Sequence, residues 1–319
     1  MNFDETSLTP QEVAEKLKIA KNTVYELIKR GQLNSYRVGK KVRIDLKDVE
    51  DYKKNSKRGK SPQTSEDSGE YANDAMSSRF ETIPSSGFII CGQDPILDML
   101  SIHLQKASNG FRPLRSYMGS YNGLYALYNG NVHLATCHLW DGDSDQYNIP
   151  YVKRMLPGVP SVIIHLAKRM QGFYVLKGNP KEIKDWKDLG RTDITIINRE
   201  KGSGTRVLVD EHIKKLNIPC QSIKGYNREC VSHLAAASAV ARGGADIAFG
   251  IEKAGMQVKE IDFIPMQKER YEMVIKKEDI YKLHFSNVLK ILQSTEFKEE
   301  LDGIGGYDLR ELGKITAEV

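Results

Sequence analysis

The chain has 319 residues, a length that predicts two or three compact units rather than one domain. Hydrophobic residues make up 40% of it and charged residues 28%, with 26 glycines and 11 prolines, which excludes a collagen-like or wholly disordered protein. The net charge of +5 lies in residues 1–60, which balance at +6 while the remainder balances at −1, so we expect a basic module that meets a polyanion and a nearly neutral body.

The four cysteines are scattered, without the C-x-x-C or histidine spacing of a zinc site, so we expect reduced thiols, no metal and no cofactor. No apolar stretch approaches the ~20 residues that cross a bilayer. The N-terminus has neither the basic flank nor the apolar run of a secretory signal. These features predict a cytoplasmic protein.

Residues 1–56 are predicted to form two short helices followed by a β-hairpin. The segment Thr9-Pro10-Gln11-Glu12 is a capping box with proline at the first helical position, so a helix is expected to begin there. A short break precedes a second helix at residues 21–30, whose apolar side chains recur on one face. Strand-like residues 35–38 and 42–44 then flank a Gly-Lys-Lys turn. This order is that of a winged helix-turn-helix.

The candidate DNA contacts are polar or basic residues that lie off the apolar stripe. In the second helix they concentrate at the N-terminal end, which would enter a major groove, and in the hairpin they form the tip and edges. They are Lys21, Asn22, Thr23, Tyr25 and Lys29 in the helix, and Arg37, Lys40, Lys41 and Arg43 in the hairpin. A solvated basic surface without a DNA partner is the alternative.

Residues 8–52 resemble the excisionase-type branch of the MerR-like winged helices. The resemblance rests on T-V-Y at residues 23–25, R-G-x-L at residues 30–33 and V-G-x-x-x-R-I at residues 38–44, and the chain departs from it at Ala20, where Ser or Gly is more usual. It implies binding to double-stranded DNA, with the second helix in the major groove and the hairpin on the backbone or minor groove. Because basic residues are few, we expect a weak monomer site and a homodimer.

Residues 57–86 are predicted to be a flexible linker. Eight serines fall between residues 55 and 86, with little apolar content and no sustained period, so burial would not compensate the entropy of ordering this backbone. The linker would join a DNA-binding domain at residues 1–56 to a ligand-binding domain at residues 87–319.

From residue 87 onward, short apolar runs alternate with longer segments of helical period. The strand-like runs include residues 87–91, 132–139, 162–166, 194–198 and 245–249, and the helix-like segments include residues 95–107, 205–216 and 234–241. This alternation predicts an α/β fold with parallel sheets and helices on both faces.

A glycine-containing turn between a strand and a helix is the strongest candidate for a ligand site. Its glycines let the backbone approach a ligand, and the free N–H groups and dipole of a helix start favour negative charge. The candidate donors are Ser203, Gly204, Thr205, Arg199 and Arg206. The Gly-Lys-Ser/Thr ending of a Walker A loop is missing, so nucleotide hydrolysis is not indicated. A tight turn with a capping serine and a solvated arginine is the alternative.

Two further turns of this kind, at residues 91–95 and 118–124, precede predicted helices, and the second contains Ser120 and Asn122. Such turns can converge at the carboxyl ends of parallel strands. In order and spacing, residues 87–295 resemble the PBP-like sensor family, relatives of the type II periplasmic binding proteins for molybdate, tungstate and similar anions. The resemblance implies two α/β lobes, joined by crossing strands near residues 172–177 and 269–275, with a small oxyanion held between them.

Carried over by position, the S-G-T at residues 203–205 is the strongest implied ligand site, followed by Gly119-Ser120. Arg199 corresponds to an arginine that precedes S-G-T in phosphate-binding relatives, although here three residues intervene. Other polar residues in shared segments could contact ligand or could serve as core, cap, turn or hinge residues; they are His138, Asp141, His233, Asp246 and Tyr271.

These predictions describe a one-component transcriptional regulator, in which oxyanion binding to the body alters operator binding by the head. We expect it not to be an enzyme, because no nucleophile and base occur at a recognisable spacing. An excisionase-like DNA architectural protein without a ligand response, and a molybdenum-cofactor-related accessory protein or enzyme, are the alternatives.

Overall fold

The computed structural model describes residues 7–29, 33–39, 41–57, 87–107 and 113–319. They form two compact units, one N-terminal and one comprising residues 87–319. The predicted linker, apart from its first residue, lies outside the described residues. None of the helices described is both long and apolar enough to span a membrane.

The N-terminal unit has the predicted winged helix-turn-helix order. The predicted capping box is confirmed, because Glu12 N donates to Thr9 Oγ1 at 3.3 Å and Thr9 N donates to the Glu12 carboxylate at 2.7 Å. Buried Val13, Val24 and Ile44 pack the helices against a small antiparallel sheet of order β1-β3-β2. Its elements are β1 (Ser7–Leu8), α1 (Pro10–Leu17), α2 (Lys21–Lys29), β2 (Tyr36–Val38), β3 (Lys41–Asp45) and α3 (Leu46–Lys57).

The larger unit is built on a nine-stranded mixed sheet of order β11-β10-β12-β9-β13-β6-β4-β5, with β14 paired to β9. Its strands are β4 (Ile89–Cys91), β5 (Leu114–Ser116), β6 (Leu134–Cys137), β9 (Ser161–Leu176), β10 (Ile196–Arg199), β11 (Glu229–Cys230), β12 (Ile247–Ile251), β13 (Ile261–Lys276) and β14 (Ile315–Glu318), while β7 (Trp140–Asp141) and β8 (Gln146–Tyr147) form a separate hairpin. The predicted α/β class is confirmed.

Helices cover both faces of this sheet. They are α4 (Pro95–Ala107), α5 (Ser120–Tyr128), α6 (Ile149–Met155), α7 (Gly204–Lys215), α8 (His233–Ala241), α9 (Glu252–Gly255), α10 (Leu283–Leu292) and α11 (Thr295–Ile304). Four separate apolar clusters lie between helices and sheet, two in each half of the unit. Separate cores divide the unit into two lobes.

The predicted parallel pairing is confirmed within each lobe, and antiparallel crossing strands connect the two parallel parts. Strands β4, β5 and β6 are parallel in the first lobe, and β10, β11 and β12 are parallel in the second. Between them run β9 and β13, antiparallel to each other and each 16 residues long. The chain leaves the first lobe through β9 and returns through β13, so both connections cross between lobes as strands. The crossing strands are thus longer than the predicted segments near residues 172–177 and 269–275.

Candidate functional site

A small cavity of about 30 Å³ lies between the two lobes of the larger unit. Its walls come from the turns after β4, β5, β6 and β10, from the start of α8, and from both crossing strands. It brings together seven of the ligand candidates predicted from the sequence, namely Ser120, Arg199, Ser203, Gly204, Thr205, His233 and Tyr271.

Four helices begin at this cavity. Asp94 immediately precedes α4, and Ser120, Gly204 and His233 are the first residues of α5, α7 and α8. A helix start carries N–H groups without an intrahelical acceptor and the positive end of the helix dipole. At α4 the Asp94 carboxylate already accepts from Ile96 N at 2.8 Å, so the starts of α5, α7 and α8 are the ones that place partial positive charge around the space, which favours a negatively charged occupant.

Backbone hydrogen bonds orient the two serines. Ser203 Oγ accepts from Arg206 N at 3.2 Å, which caps α7, and Ser120 Oγ accepts from His138 N at 3.2 Å. Because each oxygen already accepts, its hydroxyl proton remains available to the cavity. In the part of the chain that the structure describes, the N–H groups of Ser120, Gly204 and Thr205 have no acceptor. The cavity wall is therefore rich in uncharged donors.

Arg199 is buried and connects the lobes. Its Nη2 donates to Gln93 Oε1 in the first lobe at 3.0 Å, and its Nε donates to Glu200 Oε2 at 2.9 Å. Its Nη1 donates to His233 Nδ1 at 3.0 Å. Because an arginine only donates, Nδ1 of His233 is the acceptor, and a neutral ring carries its proton on Nε2.

His233 is held in the neutral form. Burial lowers the pKa of its imidazole well below the usual value, and the adjacent Arg199 charge lowers it further. It therefore contributes no positive charge of its own to the cavity at neutral pH.

A second buried arginine, Arg169 on β9, was not predicted from the sequence. Its guanidinium is paired with both Asp94 and Glu269, and Glu269 also accepts from Gln171 Nε2 at 2.7 Å and faces His138 Nδ1 at 2.6 Å. Burial opposes ionisation of Glu269, but Arg169 and His138 outweigh it and lower the carboxyl pKa to about 2. The network ties the crossing strands to α4.

The crossing strands also reach the ligand candidates. Gln171 Nε2 donates to Thr205 Oγ1 at 3.0 Å, and Tyr271 lies with its hydroxyl 2.7 Å from Thr136 Oγ1. The Arg169 guanidinium lies over the Tyr271 ring, 4.0 Å from its centroid. Burial is the main cause that raises the pKa of Tyr271, so its phenol stays protonated.

Two predicted ligand residues lie outside the cavity lining. Arg206 pairs with Asp210 at 3.0 Å and Glu229 at 3.2 Å, and it stacks over Tyr226. Asn122 Nδ2 donates to the carbonyl of Lys201 at 3.4 Å. Arg206 is already neutralised by acids and Asn122 connects the lobes at the surface, so we leave both out of the proposed ligand set.

The remaining candidates divide between cavity and scaffold. His138 lines the cavity. Asp141 accepts from Ser144 and pairs with Arg154 at 2.9 Å, and Asp246 accepts from Thr195 N at 2.8 Å. Asp141 thus holds the turn of its own hairpin, whereas Asp246 connects the start of β12 to the residue before β10. Among the residues described, no group of three His, Cys, Asp or Glu side chains is arranged to hold a metal ion.

The lobes are closed on each other in this structure. Tyr121 N donates to the Gly202 carbonyl at 2.9 Å, and a Cβ placed on Gly119 would lie 2.7 Å from both the Gly202 oxygen and Ser203 Cα. A Cβ on Gly204 would lie 2.5 Å from the His138 ring. Glycine at these positions permits backbone of one lobe to meet the other.

In the N-terminal unit, the predicted DNA contacts at the start of α2 are exposed. Lys21, Asn22, Thr23 and Tyr25 all face solvent, as does Lys41 in the hairpin, and Arg43 is half-buried. Lys40 lies outside the described residues, as do the side chains of Lys29 and Arg37. The described candidates are thus an exposed polar end of α2 and two basic residues of β3.

The family comparisons agree with this division. Residues 7–57 match a helix-turn-helix domain model, and residues 101–293 match the model of the PBP superfamily domain. The chain is 41% identical over 315 residues to the uncharacterized protein YvgK of Bacillus subtilis, covering 99% of both chains. The MerR-like relationship of the head stays a prediction.

The comparisons with solved structures concern the fold alone, because the identities are low. A substrate-binding protein with bound phosphate from Clostridium perfringens superposes with a TM-score of 0.51 at 15% identity, over 69% of this chain and 98% of that one. A mutant OxyR of Corynebacterium glutamicum with bound H2O2 gives 0.52 at 14% identity, over 93% of this chain and 89% of that one. The two-lobed body thus has the fold of substrate-binding proteins.

Proposed function

The chain belongs to the PBP superfamily and carries a helix-turn-helix domain in the same polypeptide, and from this premise we propose that it is a one-component, non-enzymatic transcriptional regulator of the cytoplasm. Its head binds double-stranded DNA. Its body binds a small tetrahedral oxyanion, of the molybdate or tungstate kind, and anion binding changes the affinity of the head for its operator.

The convergence of the starts of α5, α7 and α8 on one cavity carries this proposal. A cavity of about 30 Å³ has space for a few water-sized groups, because one water needs roughly 10–15 Å³. This size favours an inorganic anion over an amino acid or a sugar. We assign direct contacts to Ser120, Ser203, Gly204 and Thr205, whose hydroxyl and N–H groups donate.

The buried charges favour binding by uncharged donors. Arg169 is paired with two carboxylates and Arg199 with Glu200, so neither arginine brings an unpaired positive charge. Hydrogen bonds from neutral groups to a charged partner are worth about 1.5–3 kcal/mol each. Since the hydroxyls of Ser120 and Ser203 both have protons to donate, an anion without a proton of its own matches this wall better than one that must donate.

Removing the hydroxyls of Ser203 and Thr205 tests the proposal. We expect molybdate or tungstate to raise the thermal unfolding temperature of the full chain, and Ser203→Ala with Thr205→Ala to weaken anion affinity by about 100-fold, because two charge-assisted hydrogen bonds are lost. Titration calorimetry with molybdate, tungstate, sulfate and phosphate measures the affinities and ranks the anions.

The matched control is Ser294→Ala. Ser294 is not among the residues that line the cavity. It caps α11 through the same hydroxyl-to-backbone contact that Ser203 makes to α7. Its loss costs a comparable ~1 kcal/mol of helix stability and leaves anion affinity unchanged. If no oxyanion stabilises the wild-type chain, or if the double variant binds as tightly as the control, the oxyanion assignment is wrong.

A further inference from the structure

Helix α5 exposes three tyrosines on one side. Tyr121, Tyr125 and Tyr128 have 44%, 48% and 40% of their surface exposed, and their spacing places them within an arc of roughly 60°. The opposite side of the helix, with Ala126 and Leu127, is fully buried against the sheet. Among the residues described, the hydroxyls of these three tyrosines have no hydrogen-bond partner in the chain. We call these three residues the tyrosine face.

Two exposed side chains lie beside it. Tyr117, three residues before the helix, is 63% exposed, and Leu114 on the edge strand β5 is 44% exposed. Leu114 pairs with Ile89, which belongs to the apolar cluster under α5, so it lies on the α5 side of the sheet. The tyrosine face and its border therefore form an exposed aromatic and apolar surface at the edge of the first lobe, of the kind found at interaction sites.

The charge pattern restricts the partner. No Lys, Arg, Asp or Glu occurs in residues 116–140, which contain the whole of α5, and the two charged side chains that contact Tyr117, Arg115 and Asp98, pair with each other at 2.9 Å. Nucleic acid or an anionic membrane would require basic residues here, and a basic protein would require acidic ones. A phenol both donates and accepts hydrogen bonds, so an uncharged tyrosine surface is complementary to a copy of itself.

We propose that the tyrosine face pairs two copies of this chain, α5 against α5, about a two-fold axis. Such an interface is isologous and closed. The exposed parts of the four tyrosines amount to about two whole side chains, or on the order of 400 Å² per copy, about half of what a standard interface buries on each partner. Leu114 and the neighbouring polar rim extend this area.

The position of α5 connects pairing to the proposed anion site, on whose function this inference rests. Ser120 at the start of α5 lines the cavity, and Tyr121 N donates to Gly202 of the second lobe. The first tyrosine of the face is thus held by the contact that closes the lobes. Anion binding would hold α5 against the second lobe and so favour the pair. Because a pair carries two heads, its formation would change operator binding without force being transmitted through residues 57–86.

Sedimentation equilibrium of the full chain, with and without molybdate, tests the pairing. We expect the wild type to dimerise, and Tyr125→Ala with Tyr128→Ala to raise the dimer dissociation constant at least tenfold. Tyr281→Ala is the control, because Tyr281 is 89% exposed and lies outside the face. The double variant should still gain thermal stability from molybdate, which separates failure of pairing from failure of anion binding.

A wild type that stays monomeric at every accessible concentration, or a double variant that dimerises as well as the control, overturns the proposal. A second measurement does not depend on the variant folding. Photo-oxidative tyrosine coupling of mixed ¹⁴N and ¹⁵N wild-type chains should join two copies of the tryptic peptide of residues 116–153, one of each label. The absence of any product that joins two copies of this peptide would contradict the pairing.

Discussion

Ser203 shows how a small side chain near the cavity acquires a defined direction. Its oxygen caps α7, and that single contact leaves its proton for a ligand. The sequence made this residue a ligand candidate, because it lies in a glycine-containing turn between a predicted strand and a predicted helix. Arg169 and Glu269 gave no such signal. They are 100 residues apart, and only the pairing of β9 with β13 brings them together.

His233 determines part of the response to acid. Its pKa is lowered in the folded chain by burial and then by Arg199, whereas the unfolded chain titrates near pH 6.5. Below pH 6.5 the unfolded state binds the additional proton, so the free energy of unfolding falls as pH falls, by up to about 1.4 kcal/mol per pH unit for this group. In the wild type, unfolding should take up about one proton at His233 between pH 6.5 and 5. His233→Gln should remove that uptake and so reduce the slope of the unfolding free energy against pH by up to about 1.4 kcal/mol per pH unit.

Urea unfolding at a series of pH values measures this slope. His212, whose pKa burial also lowers, contributes a slope of the same sign and provides the comparison variant, His212→Gln. An unchanged slope in the His233 variant would mean that this ring is protonated in the folded chain as readily as in the unfolded chain. That result would contradict the assignment of Nδ1 as the acceptor of the hydrogen bond from Arg199.

At the scale of elements, the starts of α5 and α7 meet across the lobes without side chains between them. Gly119 has φ −68°, which any residue adopts, so alanine there is strained only by the Gly202–Ser203 backbone of the other lobe. We expect Gly119→Ala to leave each lobe folded but to prevent full closure, and to weaken anion affinity by tenfold or more. Small-angle scattering with molybdate should show a more open body.

Gly303→Ala is the matched change, because Gly303 lies in α11 and a Cβ there meets nothing within 4 Å. This control should close and bind like the wild type. If the Gly119 variant binds the anion with wild-type affinity, the closed arrangement of the lobes is not the binding arrangement.

Helices and strands were predictable from the sequence where apolar residues recurred at one regular spacing. Residues 95–107 were predicted as a helix with the observed bounds, since proline starts the helix and apolar residues recur along it. The length of β9 was not predictable. It is buried along most of both lobes, so its apolar run lacks the alternation that marks a strand with one solvent face. The apolar pattern identified only residues 162–166 as a strand, and the family resemblance added a crossing strand near residues 172–177.

For the whole molecule, the separation of charge predicts separate partners. Lys21→Ala with Asn22→Ala should weaken binding to a duplex selected by the wild type from random DNA by about 10- to 100-fold, because both side chains are exposed at the helix end assigned to the groove. Molybdate should change operator affinity by some factor, and by linkage the operator should change molybdate affinity by the same factor. Fluorescence anisotropy and calorimetry measure the two.

Lys16→Ala provides the control, because Lys16 is an exposed lysine at the end of α1 rather than the start of α2. It removes one positive charge from the same domain without touching the proposed recognition surface. Equal affinity of the double variant and this control for the selected duplex would place DNA recognition elsewhere.

The contact between Gly119 and the Gly202–Ser203 backbone also has a kinetic meaning. With the lobes joined there and at Gln93–Arg199, most residues that line the cavity are buried, although Gln93 is exposed, so a bound anion would leave more slowly from the joined lobes than from separated ones. We therefore expect the rate of lobe opening to contribute to the residence time of the anion, beside the strength of each hydrogen bond. A regulator of this kind would keep its response longer after the anion concentration falls than one whose ligand lies on an open surface.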